Sequence, residues 1–468
     1  MVIKRKEVHA EPSHVSKKSK TEKPVVNAEA WRKEHGITII ASGNNYVTPP
    51  PMLTFDSAPF PTSVLIASGF EKPTPTQSQS WPIALSQRDL ISVAKTGSGK
   101  TIGFLLPSFH QITRTQGAAN PQILVLAPTR ELATQIQDEA QKFGKSLKVR
   151  STCVYGGAPK SIQIRALKAG VDCLIATPGR LNDLLNMGCV NLKQVKIVVL
   201  DEADRMLDMG FEPQIRSIIE HISTKRQTLL FSATWPKSIQ RLATEFLSKP
   251  IQVNMGELGV LHANPDIQQN VSIVQEADKP AELQKLLKKI MTVGKDAETE
   301  LDVSEHPKTI IFFRTKRVCD RLANQYWDMG YCVDALHGDK EQWQRTKTVN
   351  DFKAGTTRIL FATDVAARGL DVENVQCVIN YDMSDGRNGI EDYVHRIGRT
   401  GRAGKKGTSF TFITHSDAGS VPKLIEILKH AKQEIPAELQ ALRNQGGGKS
   451  KRGYGGGGKF RGGNGKRW

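Results

Sequence analysis

Ala94–Thr101, AKTGSGKT, follows a short apolar run and precedes the helical pattern IGFLLPSFHQI. Glycines ahead of Lys-Thr allow backbone N–H groups to wrap phosphate oxygens, and the N-terminus of the next helix adds its dipole. Ala94 stands where the general pattern has Gly. In such a loop Ala94, Lys95, Thr96, Gly97, Ser98 and Gly99 form the cradle and Lys100 reaches the β- and γ-phosphates. The Thr101 hydroxyl would ligate Mg²⁺. An ordinary glycine-rich turn is the plain alternative, but the strand–loop–helix context argues against it.

IVVLDEAD places Asp201 and Glu202 at the end of an apolar run. A buried strand ending in two carboxylates downstream of a phosphate loop can hold a cation through Asp201 and polarise an attacking water through Glu202. Further on, HRIGRTGR (His395–Arg402) concentrates a histidine and three arginines. If that stretch is helical, arginines at i and i+3 share a face suited to clamping phosphate oxygens. GRAGKKGT (Gly401–Thr408) lacks the order of residues a second phosphate loop needs. One nucleotide between two units is therefore expected, with the loop on one and arginine fingers on the other.

The elements that must position these residues follow from the apolar pattern. DLISVA, ILVLA, CLIA, IVVL and TLLF read as buried strands, with helical spacing between them, as in ELATQIQDEAQKF. Unbroken Val/Ile/Leu runs suit parallel strands covered on both faces, and strand–helix alternation implies a doubly wound sheet. The rhythm breaks over Asn254–Pro280, which reads as a linker, and resumes with KTIIFF, VDAL, RILFA, CVINY and SFTFI. The expected fold is thus α/β, with two tandem doubly wound parallel-sheet domains.

Composition fits that picture. The 468 residues hold 65 Lys plus Arg against 47 Asp plus Glu, a net charge of +18. Such a balance points to a polyanionic partner, nucleic acid or membrane surface. No apolar stretch is long enough to span a bilayer, and the charged N-terminus lacks the apolar core of a signal peptide. Six dispersed cysteines fit neither a disulfide framework nor a zinc site. KRK (Lys4–Lys6) and KKSK (Lys17–Lys20) leave open a nuclear address or simply a solvated arm. Residues Gly446–Trp468 contain 11 Gly, seven Lys/Arg, no acid and three aromatics, a composition that reads as a disordered cationic tail.

Asp201-Glu202-Ala203-Asp204 spells DEAD, and over about residues 50–432 the chain resembles the DEAD-box ATP-dependent RNA helicases. The motifs run in that family's order: GFEKPTPTQ (Gly69–Gln77), PTRELA (Pro128–Ala133), Gly156-Gly157, TPGR (Thr177–Arg180), SAT (Ser232–Thr234), HGDKEQWQR (His337–Arg345) and ATDVAARGLD (Ala362–Asp371). WRKEHGITI (Trp31–Ile39) and the C-terminal tail resemble those of a nuclear subgroup. One departure is DGRNG, which reads as a small insertion before His395.

The resemblance implies two RecA-like domains, over residues 51–254 (Q motif 53–81, DEAD box 201–204) and 281–432. It leaves a basic extension at 1–50, a linker at 255–280 and an RNA-binding tail at 433–468. It implies ATP and Mg²⁺ as cofactors, with Gln77 at the adenine edge, Phe55 or else Phe60 stacking on the base, and Asp371 on the ribose. Arg399 and Arg402 would meet the γ-phosphate, while Ser232, Thr234, Arg368 and His395 would couple the domains. Arg130, Gly157, Thr177 and Arg180 from the first domain, and Gln342, Arg345 and Thr363 from the second, would hold the RNA sugar–phosphate backbone without reading sequence. The expected protein is a monomeric helicase of the nucleus, and of the nucleolus within it, or alternatively of the cytoplasm. It would serve ribosome biogenesis or mRNA processing and decay, with no membrane role. An RNA annealing or clamping scaffold with slow turnover, and a DNA helicase, are the competing readings.

Overall fold

The computed structural model describes residues 27–41, 46–67, 69, 71–95, 97–112, 120–256, 263–293, 299–300, 302–303, 305–364, 372, 374–384, 389–402 and 405–446. Thr96, Arg368, Asp371, most of the DGRNG stretch, the first 26 residues and the Gly-rich tail lie outside them.

Both domains are parallel sheets covered by helices, as expected. The first sheet holds β1 (Ile37–Ala41), β2 (Leu90–Val93), β3 (Ile123–Leu126), β4 (Ser151–Val154), β5 (Cys173–Ala176), β6 (Ile197–Leu200), β7 (Gln227–Ser232) and β8 (Ile251–Met255), in the order β1-β8-β2-β7-β6-β3-β5-β4. Only β1, paired with β8, runs antiparallel. The second sheet is built from β9 (Ile267–Ile273), β12 (Thr309–Phe313), β13 (Val333–Leu336), β14 (Ile359–Thr363), β15 (Cys377–Asn380) and β16 (Gly407–Ile413), in the order β13-β14-β12-β15-β16-β9, all parallel. A two-strand ribbon, β10 (Thr292–Val293) and β11 (Thr299–Glu300), stands apart from it.

The period-two alternation of a strand explains why the central runs are apolar throughout. In β3, Ile123 and Val125 enter the core on one face while Leu124 and Leu126 enter the core on the other. In β12, Ile311 and Phe313 face one core and Ile310 and Phe312 the opposite one. Every residue of such a strand is buried, so a polar residue anywhere in it would lose its hydration.

Three expected boundaries are corrected. Ile267–Ile273, within the stretch read as linker, is the edge strand β9 of the second sheet. Its alternate residues are exposed, so IQQNVSI lacks the continuous apolar run that marks the central strands. The stretch read as tail begins with an ordered helix, Ala437–Gly446, whose Leu439 and Leu442 are buried in the second domain's core. The basic extension also contributes structure. Asn27 caps the helix Ala28–Glu34, and β1 then joins the first sheet with Trp31 packed against its core. All six cysteines are free, and no described helix is long and apolar enough to cross a membrane.

Candidate functional site

The loop after β2 is held from two sides. The Ala94 N–H donates to the Ser232 carbonyl (3.0 Å), which ties the loop to the end of β7. Gly97 and Gly99 both adopt positive φ, at 72° and 82°, and Gly99 opens the helix Lys100–Gln111 in the left-handed region that favours glycine. Thr74 and Gln77 form a capping box at the helix Pro75–Leu85. Thr74 Oγ1 donates to the Ser98 carbonyl (2.8 Å) and Gln77 Nε2 to the Gly99 carbonyl (3.1 Å). A Cβ on Gly99 would fall 2.5 Å from Gln77 Nε2, so the cradle is packed against its support. Gln77 keeps a second N–H and a second lone pair, the two groups an adenine edge requires.

Packing separates the two candidate aromatics. Phe60 is buried edge-on against Trp81 (5.0 Å between centroids) and near His110 (6.0 Å). Phe55 lies in a short 3-10 turn, half-buried, and is the one with surface to offer a base.

Lys100 is buried, and its Nζ donates to the Ala94 carbonyl (2.8 Å). Asp201, at the end of β6, is 3% exposed, and its carboxyl is pushed up to about 7. Burial is the main cause, the Glu202 and Asp204 charges add to it, and Lys100 opposes it. A buried carboxyl held that high, with Lys100 as its one opposing cation and Thr101 the next residue of the loop, is short of positive charge. This donor set fits Mg²⁺, which takes one or two carboxylates and completes its shell with phosphates and water. Among the described residues no cluster of three or more His, Cys, Asp or Glu could hold a metal alone. Glu202 is also buried and sits at φ 49°, ψ 51°, a left-handed conformation that costs a side-chain-bearing residue about 1–2 kcal/mol. The strain falls on the residue expected to polarise water.

Asp204 joins the carboxylate pair to the SAT segment and to the second domain. Its Oδ2 accepts from the Thr234 N–H and hydroxyl (both 2.9 Å) and from the Ala233 N–H (3.3 Å), and lies 4.0 Å from His395 Nε2. Ser232 takes part through its carbonyl, while its buried hydroxyl has no hydrogen-bond partner among the described residues.

The second domain brings its arginines to this cleft. The helix Gly389–Ile397 ends before Arg399, so HRIGRTGR is not one continuous helix. Its fingers follow in turns, each stem bonded to the carbonyl four residues back: Arg399 Nε to His395 (3.2 Å) and Arg402 Nε to Gly398 (2.9 Å). Arg402 lies against the phosphate loop, since a Cβ on Gly97 would fall 3.5 Å from its Cγ. Arg396 instead serves structure, bonding Asp364 (2.5 and 2.6 Å) and the Asp382 carbonyl (2.5 Å).

Sequence reasoning missed the ion pairs that hold the two domains together. Buried Arg205 donates to Asp392 across the cleft (2.5 Å) and to Asp208 on its own helix (3.2 Å). Asp392→Asn is expected to lower RNA-stimulated turnover about tenfold, the scale of one charge-assisted hydrogen bond, and to leave ATP affinity unchanged. Steady-state kinetics with and without RNA checks it.

Glu391 lines a 390 Å³ interdomain cavity with Thr234, Asn254 and His395, and its carboxyl is pushed up to about 7. Burial is the first cause, followed by Asp208 and Asp204 of the first domain. An acid raised in the closed form opposes closure progressively as pH rises from about 4, its ordinary value, to about 7, and fully above that. Closure should therefore strengthen on acidification through this window, and Glu391→Gln should flatten the response. Interdomain energy transfer between about pH 5.5 and about pH 8 reads the difference.

At the C-terminal ends of the strands a second cluster forms. Thr129 caps the helix Arg130–Leu147 and so sets Arg130 at its first position. The Arg130 guanidinium covers Gly157 so closely that a Cβ there would overlap it, and Nη1 donates to Gln342 Oε1 of the second domain (2.5 Å). Arg345 pairs with Glu131 (2.5 Å), whose carboxyl is raised by burial despite that partner. Arg180 is buried and bonds the Ala158 carbonyl and Gln163 (both 3.0 Å), which makes it a support of the double-glycine turn. Thr177 starts the helix Pro178–Asn186 without a side-chain cap bond, and Thr363 ends β14. Arg130, Gly157, Thr177, Gln342, Arg345 and Thr363 thus all sit at or just past the C-terminal ends of strands, while Arg180, expected with them on the RNA backbone, is buried behind the double-glycine turn.

Two family models match the chain: DEAD/DEAH box helicase over residues 74–242 and helicase conserved C-terminal domain over 278–404. DEAD-box ATP-dependent RNA helicase 14 of Arabidopsis thaliana is 46% identical over 430 residues, covering 90% of this chain and 66% of its own length. ATP-dependent RNA helicase DBP2 of Saccharomyces cerevisiae is 49% identical over 445 residues, covering 93% of this chain and 78% of its own. The chain spans 38% to 66% of the length of several plant relatives it matches. Among solved structures, S. cerevisiae Dbp5 bound to RNA and ADP BeF3 aligns with a TM-score of 0.70 at 29% identity, over 84% of this chain and 99% of that one.

Proposed function

We propose, from the premise that this chain belongs to the DEAD-box ATP-dependent RNA helicase family, that it hydrolyses ATP in response to RNA and uses the cycle to open short RNA duplexes or remodel RNA–protein complexes. One observation carries the reading. A single arrangement of the two domains sets Arg402 on the phosphate loop and, at the strand ends, joins Arg130 to Gln342. Nucleotide and RNA would then be linked ligands of one closed form, each favouring the other's binding. The related Dbp5 structure holds RNA and ADP BeF3, and the same two ligand classes are proposed here.

In the proposed cycle the loop backbone and Lys100 bind the β- and γ-phosphates. Glu202 orients and polarises a water for in-line attack, while Arg399 and Arg402 stabilise charge on the transferring phosphoryl group. Mg²⁺, held through Asp201 and Thr101, would neutralise phosphate charge when bound. Asp204, bonded to Thr234 and facing His395, links the site to both. Product release reopens the cleft.

The finer reading is a nuclear protein, enriched in the nucleolus, that acts as a monomer in ribosome biogenesis or in mRNA processing and decay. The basic arm and the resemblance of Trp31–Ile39 to a nuclear subgroup support it. Two experiments test the proposal. A strand-displacement assay on a short duplex with a single-stranded extension should show ATP-dependent release. Depletion in the native cell should lead to accumulation of precursor ribosomal RNA or stabilised transcripts. Duplex release that ignores ATP would refute the first part, and unchanged RNA pools the second.

A further inference from the structure

Two stretches of the first domain carry the residues that would meet a nucleotide base. The helix Pro75–Leu85 holds Gln77, and the segment ahead of it holds Phe55. A third stretch, from the N-terminal extension, ties the two together. Arg32, in the helix Ala28–Glu34, donates through Nε to Gln79 Oε1 (2.9 Å) and through Nη2 to the Pro49 carbonyl (2.9 Å). Gln79 Nε2 donates to the same carbonyl (3.2 Å), which closes a triangle of hydrogen bonds. Three residues on, the Met52 N–H donates to the Ser78 carbonyl (2.8 Å), and Phe55 then lies tilted against Trp81 of the same helix, 6.2 Å between centroids.

Gln79 is fully buried, so without Arg32 its amide oxygen would lose a donor where water cannot replace it. A planar guanidinium that donates in two directions serves both acceptors at once. The extension is itself anchored. Asn27 caps its helix, Trp31 packs on the first domain's core, and β1 pairs with β8 along its whole length. Arg32 therefore projects from a fixed platform.

We infer that Arg32 is a positioning residue for recognition of the nucleotide base: it locks the Phe55 segment to the Gln77 helix and so keeps the base site formed before a nucleotide arrives. The inference rests on the reading of Gln77 and Phe55 as the adenine site. Gln77 presents its amide in one orientation, because Oε1 accepts from the Thr74 N–H (3.1 Å) and Nε2 donates to the Gly99 carbonyl (3.1 Å). A donor and an acceptor in set places match the acceptor and amine of the adenine edge and mismatch the two acceptors of guanine. That discrimination requires the stacking ring and the amide to keep their relative positions, which is what the Arg32 fork secures. Where only a fraction of molecules holds the site formed, apparent affinity falls by that fraction. The phosphate contacts, made by the loop and Lys100, do not pass through Arg32.

ATP, GTP and inorganic tripolyphosphate, each with Mg²⁺ and the full chain, test the inference. Arg32→Ala should raise KM for ATP about tenfold, the scale of one lost charge-assisted hydrogen bond, and leave RNA-stimulated kcat within about twofold. Affinities for GTP and tripolyphosphate, which gain nothing from the adenine site, should change less than about twofold, so the preference for ATP over GTP should fall about tenfold. Arg32→Lys, which keeps the charge and loses the fork, should fall between. Equal weakening of all three ligands would make Arg32 a support of the whole domain and overturn the proposal. So would an ATP preference unchanged in Arg32→Ala. A wild-type chain that bound ATP and GTP alike would strike the adenine-site reading itself, and the proposal with it.

Discussion

Lys100→Ala is expected to reduce ATP turnover by about 10³-fold or more, the scale of a lost preorganised charge at a reacting phosphate. Two effects combine. The substitution removes a buried cation of the loop itself, a group already desolvated and held 2.8 Å from the Ala94 carbonyl. It also removes the charge that opposes the rise of the Asp201 carboxyl, which burial, Glu202 and Asp204 already push up to about 7. Without Lys100 that carboxyl should rise further, and the site should hold Mg²⁺ less well. Nucleotide affinity and its Mg²⁺ dependence should fall together. Fluorescent-nucleotide titration over a range of Mg²⁺ reads both, and thermal unfolding without nucleotide should stay near wild type. Turnover close to wild type would remove the phosphate-loop assignment.

Glu202→Gln should separate binding from chemistry. The variant keeps the shape of the side chain and the left-handed backbone at φ 49°, so the loop, Asp201 and the Asp204–Thr234 bonds should persist. ATP affinity is expected within about threefold of wild type, while hydrolysis slows by about 10²–10⁴-fold, the usual contribution of a positioned base. With hydrolysis blocked the closed form has no exit, so ATP-dependent retention on RNA should lengthen in proportion. Single-turnover hydrolysis and RNA dissociation with ATP measure the two halves. A loss of ATP affinity as severe as that of Lys100→Ala would instead make Glu202 a ligand of the cation.

The parts legible in the sequence are those where one physical demand acts on consecutive residues. Ile197–Leu200 reads as a strand because both of its faces are buried, and AKTGSGKT reads as a phosphate loop because backbone N–H groups must approach an anion closely. Two edge strands were obscured by the opposite circumstance, while the edge strand VDAL stayed legible. Ser151–Val154 is partly exposed on both faces and Ile267–Ile273 on alternate residues, so their residues mix polar and apolar without a run. The helix Ala437–Gly446 was masked by the Gly-rich composition that follows it, although Leu439 and Leu442 carry its packing. Phe55 and Phe60 could not be told apart by spacing; both pack on Trp81, Phe60 edge-on and buried, Phe55 tilted at 6.2 Å and half-buried. The interdomain pairs were beyond local reasoning altogether. Arg205 meets Asp392 across 187 residues and Arg345 meets Glu131 across 214, and docking of two domains, not spacing, brings them together.

The central claim is that one closed arrangement of two domains makes ATP hydrolysis depend on RNA. Steady-state ATPase of the full chain, with single-stranded RNA and with DNA of the same sequence, tests it most directly when run beside Arg399→Ala. The account predicts strong stimulation by RNA, little by DNA, and loss of the RNA response in Arg399→Ala with ATP binding retained. Equal stimulation by both nucleic acids, or an RNA response that survives without Arg399, would contradict it.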